Sequence, residues 1–93
     1  MAHVRRRKSE TLIKSGKGES RYLEIKSALA GELRRRRAAK HLTQAEAARV
    51  LATSQSRFAR MEAGDASVSA DLIVIALISL GATVRDIGRA ISD

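Results

Sequence analysis

Four side chains with hydrogen-bonding groups are clustered in residues 54–64 of the sequence. They are Gln55, Ser56, Arg57 and Arg60. In a helix they would share an outer face, while Phe58 and Met61, three residues apart, would point inward. In the major groove Gln pairs bidentately with adenine and Arg with guanine, and Ser bonds to either kind of group. The spacing therefore predicts a helix that contacts base edges, and the alternative is a solvated polar face.

A second polar group lies at the start of the preceding helical pattern. Thr43 is a candidate N-cap, and Glu46 three residues later completes the spacing of a capping box. The amide of Gln44 could reach a phosphate there, because the free N–H groups and partial positive charge of a helix N-terminus favour an anion. The two patterns together predict a helix-turn-helix over residues 43–63.

The first of five predicted helices precedes this pair, and no strand is needed, so the predicted fold is all-α. Ser20 is its expected N-cap and Lys40 its approximate end. Its apolar stripe follows i, i+3, i+7 and i+11, which corresponds to Tyr22, Ile25, Leu29 and Leu33.

Cap and stop residues predict the limits of the other helices. Ser54 caps the third helix, which should end at Gly64 in a left-handed conformation. Ser69 caps a fourth helix that Gly81 closes, although its β-branched run would also fit a buried strand. Thr83 then opens a fifth helix.

The motifs at these positions resemble the Xre family of Cro-type DNA-binding regulators. The resemblance rests on "LTQAEAA", "SQS" and "MEAG" within residues 42–64, and on "VS" and "LG" at the two ends of the fourth helix. It covers residues 29–81 and implies a compact, five-helix, lambda-repressor-like domain. Together with the pattern above, it implies base contacts from Gln55, Ser56, Arg57 and Arg60 and phosphate contacts from Gln44, Thr43 and Ser54.

The family also implies an ion pair between the ends of helices 1 and 3, here Arg37 with Glu62, which would orient helix 3 more than stabilise the fold. Arg37 belongs to the arginine run at residues 34–37, which covers all sides of a helix. Others in the run could contact phosphate, or the run could simply be solubilising. Two residues depart from the family pattern. Ala52 replaces the usual turn glycine, so slight strain is expected, and Thr53 makes an apolar corner more polar.

Positive charge is concentrated in the first half of the chain. Residues 1–20 hold six Lys or Arg and two Glu, and residues 21–42 hold seven and two. Residues 43–93 hold five against six Asp or Glu, and the formal net charge is +8. This balance favours a polyanion or an acidic protein as a partner. Residues 1–19 are interpreted as a flexible basic arm, in which residues 5–8 could enter a minor groove, remain disordered or dock on an acidic partner.

Helix 4 is more apolar than a single core contact requires. Its core-facing stripe would be Ile73, Ala76, Leu77 and Leu80. The outward apolar residues of helices 4 and 5 are Leu72, Ile75, Ile78, Ile87 and Ile91. We expect helix 5 to cover part of this surface and a second copy of the chain to cover the rest, and full cover within one chain is the alternative. A two-fold dimer would place two recognition helices one DNA turn apart (roughly 34–36 Å) on a palindromic operator.

Composition disfavours several other classes of function. Cys is absent, and His3 and His41 stand alone, so no metal site is expected. No catalytic triad, carboxylate pair or phosphate loop is apparent, so neither an enzyme nor a cofactor is expected. The longest apolar run, residues 72–80, is too short to span a membrane, and no secretory signal is seen. We therefore expect a cytoplasmic protein.

The resulting prediction is a transcriptional repressor that binds double-stranded operator DNA as a homodimer. A small domain of this type also resembles a HigA-like antitoxin. That resemblance implies repression of its own operon and neutralisation of an RNA-cleaving toxin of the RelE/HigB kind, with toxin contacts on residues 1–25 or helix 1. The alternatives are a stand-alone phage or bacterial regulator, a protein-interaction module without DNA binding, and a structured-RNA binder that only the charge favours.

Overall fold

Five α-helices account for most of residues 16–92, which are the residues described by the computed structural model. Predictions for residues 1–15, including the minor-groove contact of residues 5–8, lie outside this range. The helices are α1 Lys17–Ala39, α2 Gln44–Val50, α3 Gln55–Ala63, α4 Ala70–Ser79 and α5 Val84–Ser92. Residues 16–92 contain no strand. The all-α prediction is therefore confirmed, and the alternative of a strand for the fourth element is wrong.

Local hydrogen bonds define the starts of three helices as predicted. The Thr43 hydroxyl accepts the N–H of Glu46, and the Glu46 carboxylate accepts the N–H of Thr43, which completes the capping box of α2. The Ser54 hydroxyl accepts a backbone N–H in the first turn of α3. Thr83 and Asp86 form the same reciprocal pair at the start of α5. Each cap satisfies N–H groups that a helix start otherwise leaves unpaired.

One predicted cap is wrong, and another is confirmed in position only. α1 begins at Lys17, so Ser20 lies inside the helix, where Glu19 supplies the negative charge that a first turn favours. Ser69 occupies the N-cap position of α4, but its side chain caps no backbone N–H. Its hydroxyl donates to the nearby carboxylate of Asp71.

The first half of α1 extends beyond the core. Tyr22 and Ile25, predicted to be on the inner stripe, are exposed by 39% and 37%. Lys26 is buried instead, because the inner face follows a line from Lys26 through Leu29 to Leu33. The Tyr22 hydroxyl nevertheless contacts the core domain, since it accepts the N–H of the first residue of α4 at 3.0 Å.

The core lies where α1 meets α3 and α4. Its largest fully buried side chains are Phe58, Leu29, Leu33, Ile73 and Leu77. The predicted inner residues of α3 and the predicted core-facing stripe of α4 are all buried. α5 packs against α1 and makes little contact with α4, so the expectation that it covers the outer face of α4 is wrong. One cause is an ion pair of 3.2 Å between Arg36 of α1 and Asp86 of α5.

Candidate nucleic-acid interface

The outer and inner faces of α3 differ sharply in exposure. The four residues predicted to contact bases, Gln55, Ser56, Arg57 and Arg60, are all exposed. Phe58 and Met61 on the opposite face are exposed by only 0% and 4%. The packed inner face anchors the helix, so its polar side chains project from a fixed support.

The turn between α2 and α3 brings the two helices into direct contact. Ala52 adopts φ = 56°, in the left-handed region that costs an L-residue with a side chain about 1–2 kcal/mol. The strain expected from alanine at this turn is therefore present. The N–H of Thr53 bonds to the carbonyl of Ala48 at 2.9 Å, which closes the turn. At the other end of α3, Gly64 has φ = 63° and stops the helix as predicted.

The start of α2 has hydrogen-bond donors that could bind a phosphate and one negative charge that would repel it. The backbone N–H groups of Gln44 and Ala45 have no hydrogen bond within residues 16–92. Free N–H groups at a helix start suit an oxyanion. The Glu46 carboxylate lies in the same turn, and hydrogen bonds from Thr43, first from its backbone N–H, lower its pKa below the ordinary value. A phosphate would therefore have to bind on the side of the turn away from Glu46.

The Ser54 hydroxyl sits at the start of α3, next to the predicted base-contacting residues. It accepts the N–H of Arg57 at 3.1 Å and lies 3.4 Å from the Ser56 hydroxyl. Its own proton remains able to point to a phosphate oxygen, because a hydroxyl can donate while it accepts.

A buried carboxylate on α3 joins three helices. Glu62 has a side chain exposed by 4% and accepts two hydrogen bonds from Arg37 of α1, at 2.5 Å from Nε and 3.2 Å from Nη2. The structure thus brings together the two residues of the predicted ion pair. The Gln44 amide of α2 also donates to Glu62, at 2.9 Å. One of the two Gln44 amide protons is therefore occupied inside the protein, and the other is left for a phosphate.

A family model described as a helix-turn-helix domain matches residues 28–90, which is more than half of the chain. The chain belongs to the helix-turn-helix domain family. No significant match was found among curated proteins or among solved structures. The matched range contains α2, α3 and the Glu62 contacts, so the family assignment and the geometry of α3 both indicate a DNA-binding regulator.

Sequence reasoning missed two contacts that hold the C-terminal end of the recognition helix of this helix-turn-helix domain. Arg34 of α1 donates to the backbone carbonyl of Glu62. Lys26, exposed by only 4%, donates from Nζ to the carbonyl of Asp65 at 2.7 Å. Both cations lie at the negative end of the α3 dipole. The available signal was the spacing of Lys26, which is in phase with the buried Leu29 and with the arginines that reach α3.

The five residues predicted for the dimer contact do not form one continuous surface. Leu72 and Ile87 are half-buried against the core. On α4, Ile75 and Ile78 are exposed by 57% and 54%. Ile91 is exposed by 41%, but it lies on α5, which packs against α1. The apolar surface of α4 is therefore left uncovered by the last helix.

No helix within residues 16–92 combines the length and apolar character needed to cross a membrane. The same residues contain no cluster of three or more His, Cys, Asp or Glu that could hold a metal ion.

Proposed function

We propose that this helix-turn-helix protein is a repressor that binds a palindromic operator as a homodimer. The observation that carries the proposal is α3 itself, which holds Gln55, Ser56, Arg57 and Arg60 in solvent while its other face is buried. A helix with this arrangement can enter a major groove without disturbing the core.

Two further observations support binding to DNA. The start of α2 presents free backbone N–H groups for a phosphate beside the reading helix, which would set the position of α3 along the groove. The chain carries a formal net charge of +8, which favours the approach to a polyanion of any kind. The phosphate contacts proposed for Gln44, Thr43 and Ser54 follow from this placement.

The homodimer is proposed from the uncovered apolar face of α4. Ile75 and Ile78 are large, more than half exposed and one turn apart, so they would form a stripe that a second copy could bury. Replacement of Ile78 by Lys should convert the dimer into a monomer, as measured by sedimentation. Val84→Lys is the control, because it adds the same charge at an exposed apolar residue of α5, outside the Ile75–Ile78 stripe, and should not change the assembly.

Selection of preferred sequences from random duplex DNA, followed by anisotropy titration at several salt concentrations, tests the function directly. Arg60→Ala or Gln55→Ala should cost about 1–3 kcal/mol on the selected site and relax the preference at one base pair. Gln44→Ala should weaken binding to all sequences alike. Arg85→Ala on α5 is the control and should change neither the affinity for DNA nor the sequence preference. Binding with no sequence preference would rule out base recognition by α3.

The proposal extends to an antitoxin that neutralises a RelE/HigB-like toxin. The first half of α1 supports it, because Tyr22, Leu23 and Ile25 are exposed by 39%, 50% and 37% and offer apolar surface for a partner. A stand-alone regulator is the alternative. Co-expression with the product of the adjacent gene distinguishes the two. An antitoxin should form a stable complex with that product and relieve the growth inhibition it causes, whereas a stand-alone regulator should do neither.

A further inference from the structure

An open groove runs between α1 and α5, away from α2 and α3, and it has a volume of about 710 Å³. Small residues line its floor, including Ala28 and Gly31 of α1 and Ala90 of α5. The Cβ position of Gly31 lies 3.5 Å from the guanidinium groups of Arg34 and Arg35, so these flexible arginine ends reach over the small residues and are available to a ligand in the groove.

Arginines dominate the rim of this α1–α5 groove. Its charged lining residues are Arg34, Arg35, Arg36 and Arg89 against Glu32 and Asp86. Both carboxylates are already shared. Glu32 lies 3.1 Å from Arg35 and 3.6 Å from Arg36, and Asp86 lies 3.2 Å from Arg36 and 3.0 Å from Arg89.

Two of these guanidinium groups remain largely free to bind a further anion. Arg35 and Arg89 each have one carboxylate partner within residues 16–92, and each side chain is exposed by 65%. A guanidinium has five N–H donors, so one carboxylate leaves most of them unused. The groove therefore has spare donors for carboxylates on opposite sides of its floor.

Two exposed apolar residues lie next to one end of the groove, which we call its apolar end. Asp86 near the start of α5 pairs with Arg36 near the end of α1, while Ala90 lines the groove together with Ala28, so the two helices run antiparallel. Ile25 and Ile91 do not line the groove itself, but they accordingly fall at the same end of the helix pair, where they are exposed by 37% and 41%.

We propose that the α1–α5 groove binds an acidic, amphipathic segment of a partner protein. Its carboxylates would pair with Arg35 and Arg89, and its apolar side chains would cover Ile25 and Ile91. A bare phosphate backbone would leave the apolar end uncovered, so the mixed character of the groove favours a peptide over a nucleic acid.

Arg34 at the rim donates to the Glu62 carbonyl of α3, but Arg35 and Arg89, the arginines proposed to bind the partner, make no hydrogen bond or ion pair with α2 or α3 within residues 16–92. On α1, Arg36 faces α5, whereas Arg37 binds Glu62 of α3. No residue of α2 or α3 lines the groove. Ile25 is shared with the surface proposed for a toxin, but the inference goes beyond the proposed DNA binding, and either can fail without the other.

The test uses the full chain and a fluorescein-labelled synthetic peptide with Glu and Leu on opposite faces of a helix. Arg89→Glu should weaken its binding about tenfold, because charge reversal replaces an attraction with a repulsion. Arg49→Glu on α2, which makes the same change in net charge outside the groove, should alter binding less than twofold. A peptide with Lys in place of Glu should not bind.

The apolar end is tested with Ile91→Ala, which should weaken peptide binding about threefold. Val84→Ala is the control and should leave the affinity for the peptide unchanged. Thermal melts confirm that each variant folds. Equal losses for Arg89→Glu and Arg49→Glu, or no binding at all, would overturn the proposal. The proposal would also be overturned if duplex DNA displaced the peptide and Arg89→Glu weakened the binding of peptide and DNA equally. That result would assign the groove to DNA.

Discussion

Replacement of Glu62 by Ala is the perturbation that most directly tests how the recognition helix is held. The Glu62 side chain is exposed by only 4%. It accepts hydrogen bonds from Arg37 of α1 and Gln44 of α2. Its removal breaks the side-chain hydrogen bonds from both neighbouring helices at once, while Arg34 and Lys26 keep their bonds to backbone carbonyls.

The magnitude follows from what remains after the carboxylate is removed. Arg37, exposed by 22%, keeps one hydrogen bond of 2.9 Å to the carbonyl of Leu42, and the Gln44 amide loses its acceptor. Removal of one partner from a buried ion pair costs about 3–5 kcal/mol. Because water can partly solvate Arg37, we expect the lower end, about 3 kcal/mol. For a domain of this size that corresponds to a decrease in Tm of about 12–24 °C.

Urea and thermal unfolding followed by circular dichroism measure this cost. Glu62→Gln keeps the shape and one acceptor but removes the charge, and it should cost about 1–2 kcal/mol. The double replacement Arg37→Met with Glu62→Leu should recover much of the loss, because no buried charge is left without a partner. The smallest cost expected for breaking a buried pair is about 3 kcal/mol. If the free energy of unfolding of Glu62→Ala differs from that of the wild type by less than about 1 kcal/mol, the carboxylate does not hold α3 in this way.

Three further predictions concern the turns, the caps and the response to acid. Ala52→Gly should stabilise the protein by about 0.5–1 kcal/mol in urea, because glycine relieves the left-handed strain at φ = 56° at some cost in unfolded-state entropy. Ala38→Gly, in an ordinary exposed turn of α1, should instead destabilise it by about 0.5–1 kcal/mol. Thr43→Ala should cost about 1 kcal/mol by removing the capping box of α2, and unchanged stability would show that the start of the helix is held by other contacts. Hydrogen bonds from the Thr83 backbone and hydroxyl lower the pKa of Asp86, so its contribution is complete above the unfolded pKa of about 4 and is lost as pH falls through the lower folded value. A Tm profile from neutral to acid pH should therefore fall less steeply for Asp86→Asn than for the wild type.

The helix-turn-helix was predictable because the interactions that define it are local. Thr43 and Glu46 are three residues apart, and Ser54 caps a helix that starts at the next position. Phe58 and Met61 share a face whatever their surroundings, because helical periodicity alone places them there. The exposed face of α3 follows from the same periodicity.

The first half of α1 was not predictable in the same way. Its apolar residues fit two overlapping stripes that share Leu29 and Leu33, and spacing alone does not decide between Ile25 and Lys26 as the next inner residue. Lys26 is buried because the carbonyl of Asp65, thirty-nine positions away, lies within reach of its ammonium group. A buried cation is stable only with such a partner, and only the packed chain shows that the partner is there.

Sequence by itself determined the number of helices, the caps of α2, α3 and α5, and the identity of the side chains that face away from the core on α3, since each depends on residues within about one turn of one another. Only the tertiary structure decided that α5 rests on α1, that Gln44 bonds to Glu62, and that an arginine-rimmed groove forms between the first and last helices. Those features depend on which distant residues meet. That outcome is set by the packing of the whole core and by long-range pairing of charges, neither of which leaves a local pattern in the chain.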